Sequence, residues 1–274
     1  MSDSLRRVLT ALVAAPVVLG LAYLGGWPFA VLIAGIGMVA QSEIFDIARS
    51  SGVEPYAPIG YLLGALIVAG VMIPELWAVA IAVIVGFISL APFLVERGGF
   101  LANVMVTLAS ALYPTGLLAA LVTIREGRGP LIDDLGAFFV VMLIFFLVWA
   151  TDIFALYTGK AIGRTKLAPS ISPNKTWEGS VGGVLAAGLV AIGFKLTGAV
   201  DLAWVHLAAM VVICGVVSQA GDLAESQIKR SAGVKDASSI LPGHGGLFDR
   251  FDSMVVAAPL AYLYLVYVAK VFII

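Results

Sequence analysis

Charge is scarce in this chain. Asp, Glu, Lys and Arg make up 12% of its 274 residues, while 61% are hydrophobic. An ordinary soluble domain carries about 25% charged residues. The balance excludes a soluble globular fold. Cysteine is nearly absent as well: Cys214 is the single one. An intramolecular disulfide and a cysteine zinc cluster are therefore excluded, and its place inside an apolar run fits a packing role. The sequence shows no convincing internal repeat and no low-complexity tract. A formal net charge of −1 says nothing about partners, and no nucleic-acid partner is expected.

What the chain has instead is apolar length. A helix crosses a bilayer in roughly 20 residues, and about nine runs of that order occur. They lie near residues 8–25, 27–47, 57–74, 76–95, 101–124, 135–157, 178–199, 203–221 and 253–272. The expected fold is all-α, a polytopic integral membrane protein with about nine transmembrane helices. Gly60 with Gly64, and Gly179 with Gly183, have the small-residue spacing that lets membrane helices pack closely. Arg6 and Arg7 before the first run resemble the start of a secretory leader. A small-residue cleavage site is missing and further spans follow, so a retained first helix is expected.

Charge placement says more than net charge. When nine spans are threaded with the N-terminus in the cytoplasm, only Arg125, Arg128, Lys195 and Lys270 of the 16 Lys and Arg fall outside. This agrees with the positive-inside rule. The expected location is the cytoplasmic (inner) membrane, with the polar C-terminal segments facing the cytoplasm.

The two halves differ in content. Residues 1–134 hold little polar chemistry and read as a scaffold of transmembrane helices for lipid contacts. Glu43, Asp46 and Arg49 are exceptions, spaced to lie near one helix face, and an interfacial ion pair is expected there. The stretch 125–134 reads as an external loop. Residues 135–274 carry the candidate site. Asp152 places a carboxylate near the end of the sixth span. Beyond Lys160, Arg164 and Lys166 comes Ser172-Pro-Asn-Lys-Thr-Trp-Glu-Gly179, where Pro173 breaks any helix. Ser172, Thr176 and nearby backbone N–H groups could cap the next helix or bind an anion at its N-terminus. Capping does not account for Lys175.

The eighth span ends in Asp222, Glu225, Ser226, Lys229 and Arg230. If the helix continues, Asp222, Glu225, Ser226 and Lys229 share one stripe. After Lys235 and Asp236, the run Pro242-Gly-His-Gly-Gly246 gives an open backbone that can lie against a phosphate. Asp249, Arg250 and Asp252 then begin the last span. Asp222 and Asp249, at facing helix ends, could hold divalent cations through oxygen ligands, with Glu225 and Asp252 as further candidates. His244 could orient a phosphate, donate to backbone or fill the loop. His206 reads as structural.

The stretch Ser226 to Asp252 resembles the phosphatidate cytidylyltransferase family, also called CDP-diacylglycerol synthase. That family's signature runs Ser-x-apolar-Lys-Arg, four residues, Lys-Asp, then His-Gly-Gly-apolar-x-Asp-Arg-apolar-Asp. Ser172 to Gly179 and Gly221 to Ser226 also resemble family motifs, so the likeness covers the C-terminal half; the N-terminal half is similar only in its apolar spans. The resemblance implies the reaction of CTP with phosphatidate to give CDP-diacylglycerol and pyrophosphate, with Mg²⁺ and room for a second cation. It also implies a homodimer and a site at the cytoplasmic leaflet. On this resemblance Asp222 and Asp249 would be the main metal ligands. Lys175, Lys229, Arg230, Lys235 and Arg250 would hold phosphate. Ser172, Thr176, Asp236, His244, Gly245, Gly246 and Asp152 would line the substrate site.

Two other classes stay open at this point. Another CTP-using lipid enzyme, such as a CDP-archaeol synthase or a polyprenol or dolichol kinase, would share the nucleotide logic. A transporter would also put acids at membrane depth, but its charges need not gather on one face around a phosphate-type loop.

Overall fold

A computed structural model describes residues 3–94, 99–129, 132–234, 237–238 and 245–272. Among the described residues, nine apolar helices follow one another: α1 Asp3–Leu24, α2 Gly26–Ser50, α3 Ala57–Met72, α4 Leu76–Leu94, α5 Phe100–Glu126, α6 Asp134–Ile162, α7 Trp177–Leu196, α8 Trp204–Ser231 and α9 Phe248–Val268. Seven are long and apolar enough to cross a membrane; α3 and the Leu12–Leu24 stretch of α1 are shorter apolar helices. The all-α polytopic expectation holds. Helices α5, α8 and α9 each contain a wider π turn, at Ala111–Gly116, Val212–Val217 and Tyr264–Val268. Pro114 lies in the first of these, where a missing N–H disturbs the regular ladder.

By its contacts the chain forms two compact units. The first comprises residues up to Val122 together with Ser231–Phe251; the second comprises Thr123–Arg230 and the chain from Asp252 onward. In the first unit, α2 packs against α3 and against the π turn of α5. The join is made of small residues around a polar node. A side chain at Gly64 would lie 2.8 Å from Gln41 Oε1, and one at Gly37 would lie 2.7 Å from Thr115 Oγ1. Thr115 donates to Gln41 Oε1 at 3.2 Å, with both residues buried. The pair Gly60 and Gly64 thus serves close helix packing, as its spacing predicts.

In the second unit, α6 and α7 pack along their length. A Cβ at Gly183 would come within 2.6 Å of the Thr151 carbonyl oxygen, and one at Gly179 equally close to that of Ala155. Backbone meets backbone there, which only glycine permits. Cys214 is fully buried beside this core, as a packing residue should be. Asp133 caps α6 by accepting the Gly136 N–H at 2.8 Å. Nearby, Arg125 is buried and pairs with Asp134 at 2.9 Å.

Between α6 and α7 the chain forms a small antiparallel hairpin, β1 Lys166–Ala168 and β2 Ser172–Thr176, with Lys166 opposite Thr176 and Ala168 opposite Ser172. The sequence pattern predicts only a helix-free connection here. Pro173, which has no N–H to donate, is tolerated because a two-stranded ribbon has only edges. Trp177 N–H donates to the Thr165 carbonyl at 2.9 Å, which fixes the exit into α7.

Candidate active site

In the second unit, α8 runs without a break to Ser231, so Asp222, Glu225, Ser226 and Lys229 do share a stripe. Asp222, Glu225 and the first residues of α9 in this unit meet there. One carboxylate oxygen each from Asp222, Glu225 and Asp252 lies within 4.8 Å of the others. Glu225 is 1% exposed and Asp252 8%. Unit charges 4 Å apart at an effective dielectric of about 20 repel by roughly 4 kcal/mol. Such a cluster therefore demands cations. Lys229 pairs with Glu225 at 2.9 Å along the helix, and Lys175 of β2 pairs with Asp222. Ser226 donates to Asp222 Oδ1 at 3.4 Å. The donor set is all hard oxygen, which fits a divalent cation such as Mg²⁺, bound through oxygens at about 2.0–2.1 Å.

Beside the cluster lies a cleft of about 490 Å³ lined by Asp152, Lys160, Asn174, Lys175, Thr176, Ser180, Gln219 and Asp222, with Leu156 and Leu167 among its apolar walls. Two side chains fix the backbone that leads into it. Thr176 caps α7 by accepting the Gly179 N–H at 3.1 Å. Glu178 accepts the N–H groups of Arg164 and Thr165, both at 3.1 Å, and so ties the end of α6 to the start of α7. The hairpin then hands Lys175 toward α8. Asp152, on α6, accepts from the Ser253 hydroxyl at 3.4 Å. Of the sequence candidates, the structure gathers Asp152, Lys175, Thr176, Asp222, Glu225, Lys229 and Asp252 within this unit. Ser172 sits at the hairpin turn, half-buried, and Arg230 is exposed on α8.

The first unit holds the other candidates. Asp249, in the first turn of α9, accepts the Gly246 N–H at 2.9 Å and the Ala237 N–H at 3.4 Å. Gly245 has a positive φ of 77°, which suits glycine. Arg250 is exposed. Lys235, Asp236 and His244 lie outside the described residues.

Glu43 departs from expectation. Asp46 and Arg49 do form an ion pair, at 2.9 Å, and Arg49 also approaches Glu54. Glu43 takes no part in it. Its side chain is wholly buried and accepts three hydrogen bonds, from Ser238 Oγ at 2.5 Å, Leu247 N–H at 2.9 Å and Phe248 N–H at 2.6 Å. Helical spacing alone cannot distinguish a surface pair from a contact made to a segment so distant in sequence. Lys160, Asn174, Ser180 and Gln219 of the cleft likewise fall outside the site that the sequence pattern predicts. Asn174 had the nearest signal, standing inside the Ser-Pro-x-Lys run.

A model of the cytidylyltransferase family matches residues 5–268. Among curated relatives, a phosphatidate cytidylyltransferase of Bacillus subtilis is 33% identical over 97% of this chain and 98% of its own length. One from Brucella abortus is 33% identical over 96% of this chain and 94% of its own. Another from Synechocystis is 32% identical over 95% and 96%. The likeness thus includes the N-terminal helices, where the sequence alone offers only general character.

Proposed function

The chain belongs to the cytidylyltransferase family, and on that premise we propose that it transfers the cytidylyl group of CTP to phosphatidate, forming CDP-diacylglycerol and pyrophosphate with Mg²⁺. The observation that carries the reading is the carboxylate cluster of Asp222, Glu225 and Asp252, flanked by Lys175 and Lys229 beside an open cleft. The names of the curated relatives point to the same lipid acceptor.

Both reactants are polyanions, so their mutual repulsion is the first obstacle. Lys175, which lines the cleft, can offset it by turning from Asp222 to an arriving phosphate, and Lys229 adds positive charge behind the acids. Mg²⁺ held by Asp222, with Glu225 and Asp252 beside it, would supply neutralisation of CTP oxygens and of the leaving pyrophosphate. A phosphate oxygen of the lipid bonds to the α-phosphorus of CTP. The bond from that phosphorus to the α–β bridging oxygen breaks, and its electron pair leaves with pyrophosphate. A phosphomonoester has its second pKa near about 6, so the nucleophile arrives ionised and no side chain need act as base. Asp249 and Arg250 enter this proposal on the family signature.

The acyl chains can remain in lipid while the headgroup enters the cleft. Ile153, Phe154 and Leu156, which follow Asp152 on α6, are all exposed and suit that contact. The distribution of Lys and Arg supports placing the N-terminus and the cleft on the cytoplasmic side of a bacterial inner membrane. A homodimer is proposed with the family reading, and light scattering in detergent decides it.

The test is production of CDP-diacylglycerol by purified protein in detergent, with Asp222→Asn as control. Product from wild type with Mg²⁺, lost on chelation and absent from the variant, supports the reading. Product formed only from another lipid acceptor, or without any divalent cation, overturns it.

A further inference from the structure

In the first unit two carboxylates take three successive backbone N–H groups: Asp249 accepts from Gly246, and Glu43 accepts from Leu247 and Phe248. These donors stand at the start of α9, where a helix has no internal acceptors for them and negative charge is favoured. Glu43 reaches them from α2, and it also accepts the hydroxyl of Ser238. One side chain therefore ties residue 238 to residues 247 and 248. Gly246 makes the approach possible, since a Cβ there would lie 2.7 Å from Glu43 Oε2. A carboxylate this deeply buried is sustained only when its oxygens are filled with hydrogen bonds, and both are: Oε1 accepts from Ser238 and Leu247, Oε2 from Phe248.

We propose that Glu43 is a positioning residue, which fixes the turn from Gly245 to Phe248 and thereby sets where Asp249 presents its carboxylate. The role of Asp249 in that statement rests on the cytidylyltransferase reading; the anchoring does not. The geometry separates Glu43 from a surface charge, because its neighbours Asp46 and Arg49 satisfy each other. It also separates Glu43 from a simple apolar spacer, because Gln in its place would turn an NH₂ group toward one of the backbone donors.

The test compares Glu43→Gln with wild type in the full chain, in detergent, by three readouts: thermal unfolding, amide hydrogen exchange at Leu247 and Phe248, and kcat and KM for CTP with phosphatidate. The variant should unfold within a few degrees of wild type, exchange these two amides faster, and lose kcat by about 10²-fold with KM little changed. Unchanged exchange shows that Glu43 does not hold the turn. Faster exchange with unchanged kcat shows that the held turn does not serve the reaction. Either result overturns the proposal. If Glu43→Gln does not fold, Ser238→Ala decides, since it removes one donor and leaves the carboxylate in place. Faster Leu247 exchange with lower kcat then supports the role, and no change in both refutes it. Should wild type make no CDP-diacylglycerol, the functional reading has failed, while the exchange data still judge the anchoring.

Discussion

Lys175 and Asp222 form an ion pair that joins the short hairpin to the C-terminal part of α8. The lysine is half-buried and so is the acid, with side-chain exposures of 24% and 31%. A pair so placed is open enough for phosphate to reach and shielded enough to keep its charge effective. Asp222→Asn should leave the fold intact, because the residue is not a core packing element. It should lower the rate of CDP-diacylglycerol formation by about 10²-fold or more, measured at saturating CTP. Lys175→Met should act in the same direction, and Lys175→Arg should not restore full activity, because a planar guanidinium does not replace a point charge.

Thr176 separates capping from substrate binding. Its hydroxyl accepts the Gly179 N–H, so Thr176→Ala removes a helix cap costing about 1 kcal/mol. Thermal unfolding should register that loss, while KM for CTP should stay unchanged. A raised KM with no change in stability would assign the hydroxyl to substrate instead.

Gly183→Ala tests the packing of α6 on α7. The added methyl would press on the Thr151 carbonyl oxygen at 2.6 Å, a backbone atom that cannot rotate away. Overpacking of this kind costs about 1–3 kcal/mol. The expected result is a lower unfolding temperature, with the helices still present by circular dichroism.

His244 and Asp249 stand close together in sequence, yet the chemistry ranks them. An ionised lipid phosphate needs no base, so His244→Gln should cost less activity than Asp249→Asn in folded protein. The reverse order would make proton removal part of the rate-limiting step.

Much of this was legible in the sequence, for identifiable reasons. The nine helices follow from the apolar runs, although only seven reach bilayer length, and the stripe from Asp222 to Lys229 follows from helical period once α8 is taken to continue. The hairpin at 166–176 was not legible, because Pro173 signals only where a helix cannot be. The clustering of Asp252 with Asp222 and Glu225 depends on tertiary packing, and spacing within one segment could not separate its surroundings from those of Asp249. The place of Glu43 is hidden from the sequence for a similar reason. Its pattern with Asp46 and Arg49 is local, whereas its partners at 238, 247 and 248 arrive from the far end of the chain. The π turns at Ala111–Gly116, Val212–Val217 and Tyr264–Val268 have no periodic signature strong enough to read from composition.

The most direct test of the central claim is the fate of the phosphorus atoms of CTP. Purified protein is supplied with phosphatidate, Mg²⁺ and CTP labelled at either the α- or the γ-phosphorus, and lipid is separated from the aqueous phase. Cytidylyl transfer places the α label in the lipid and the γ label in pyrophosphate. Recovery of the γ label in the lipid would mean phosphoryl transfer, and would contradict the reaction assigned to this site.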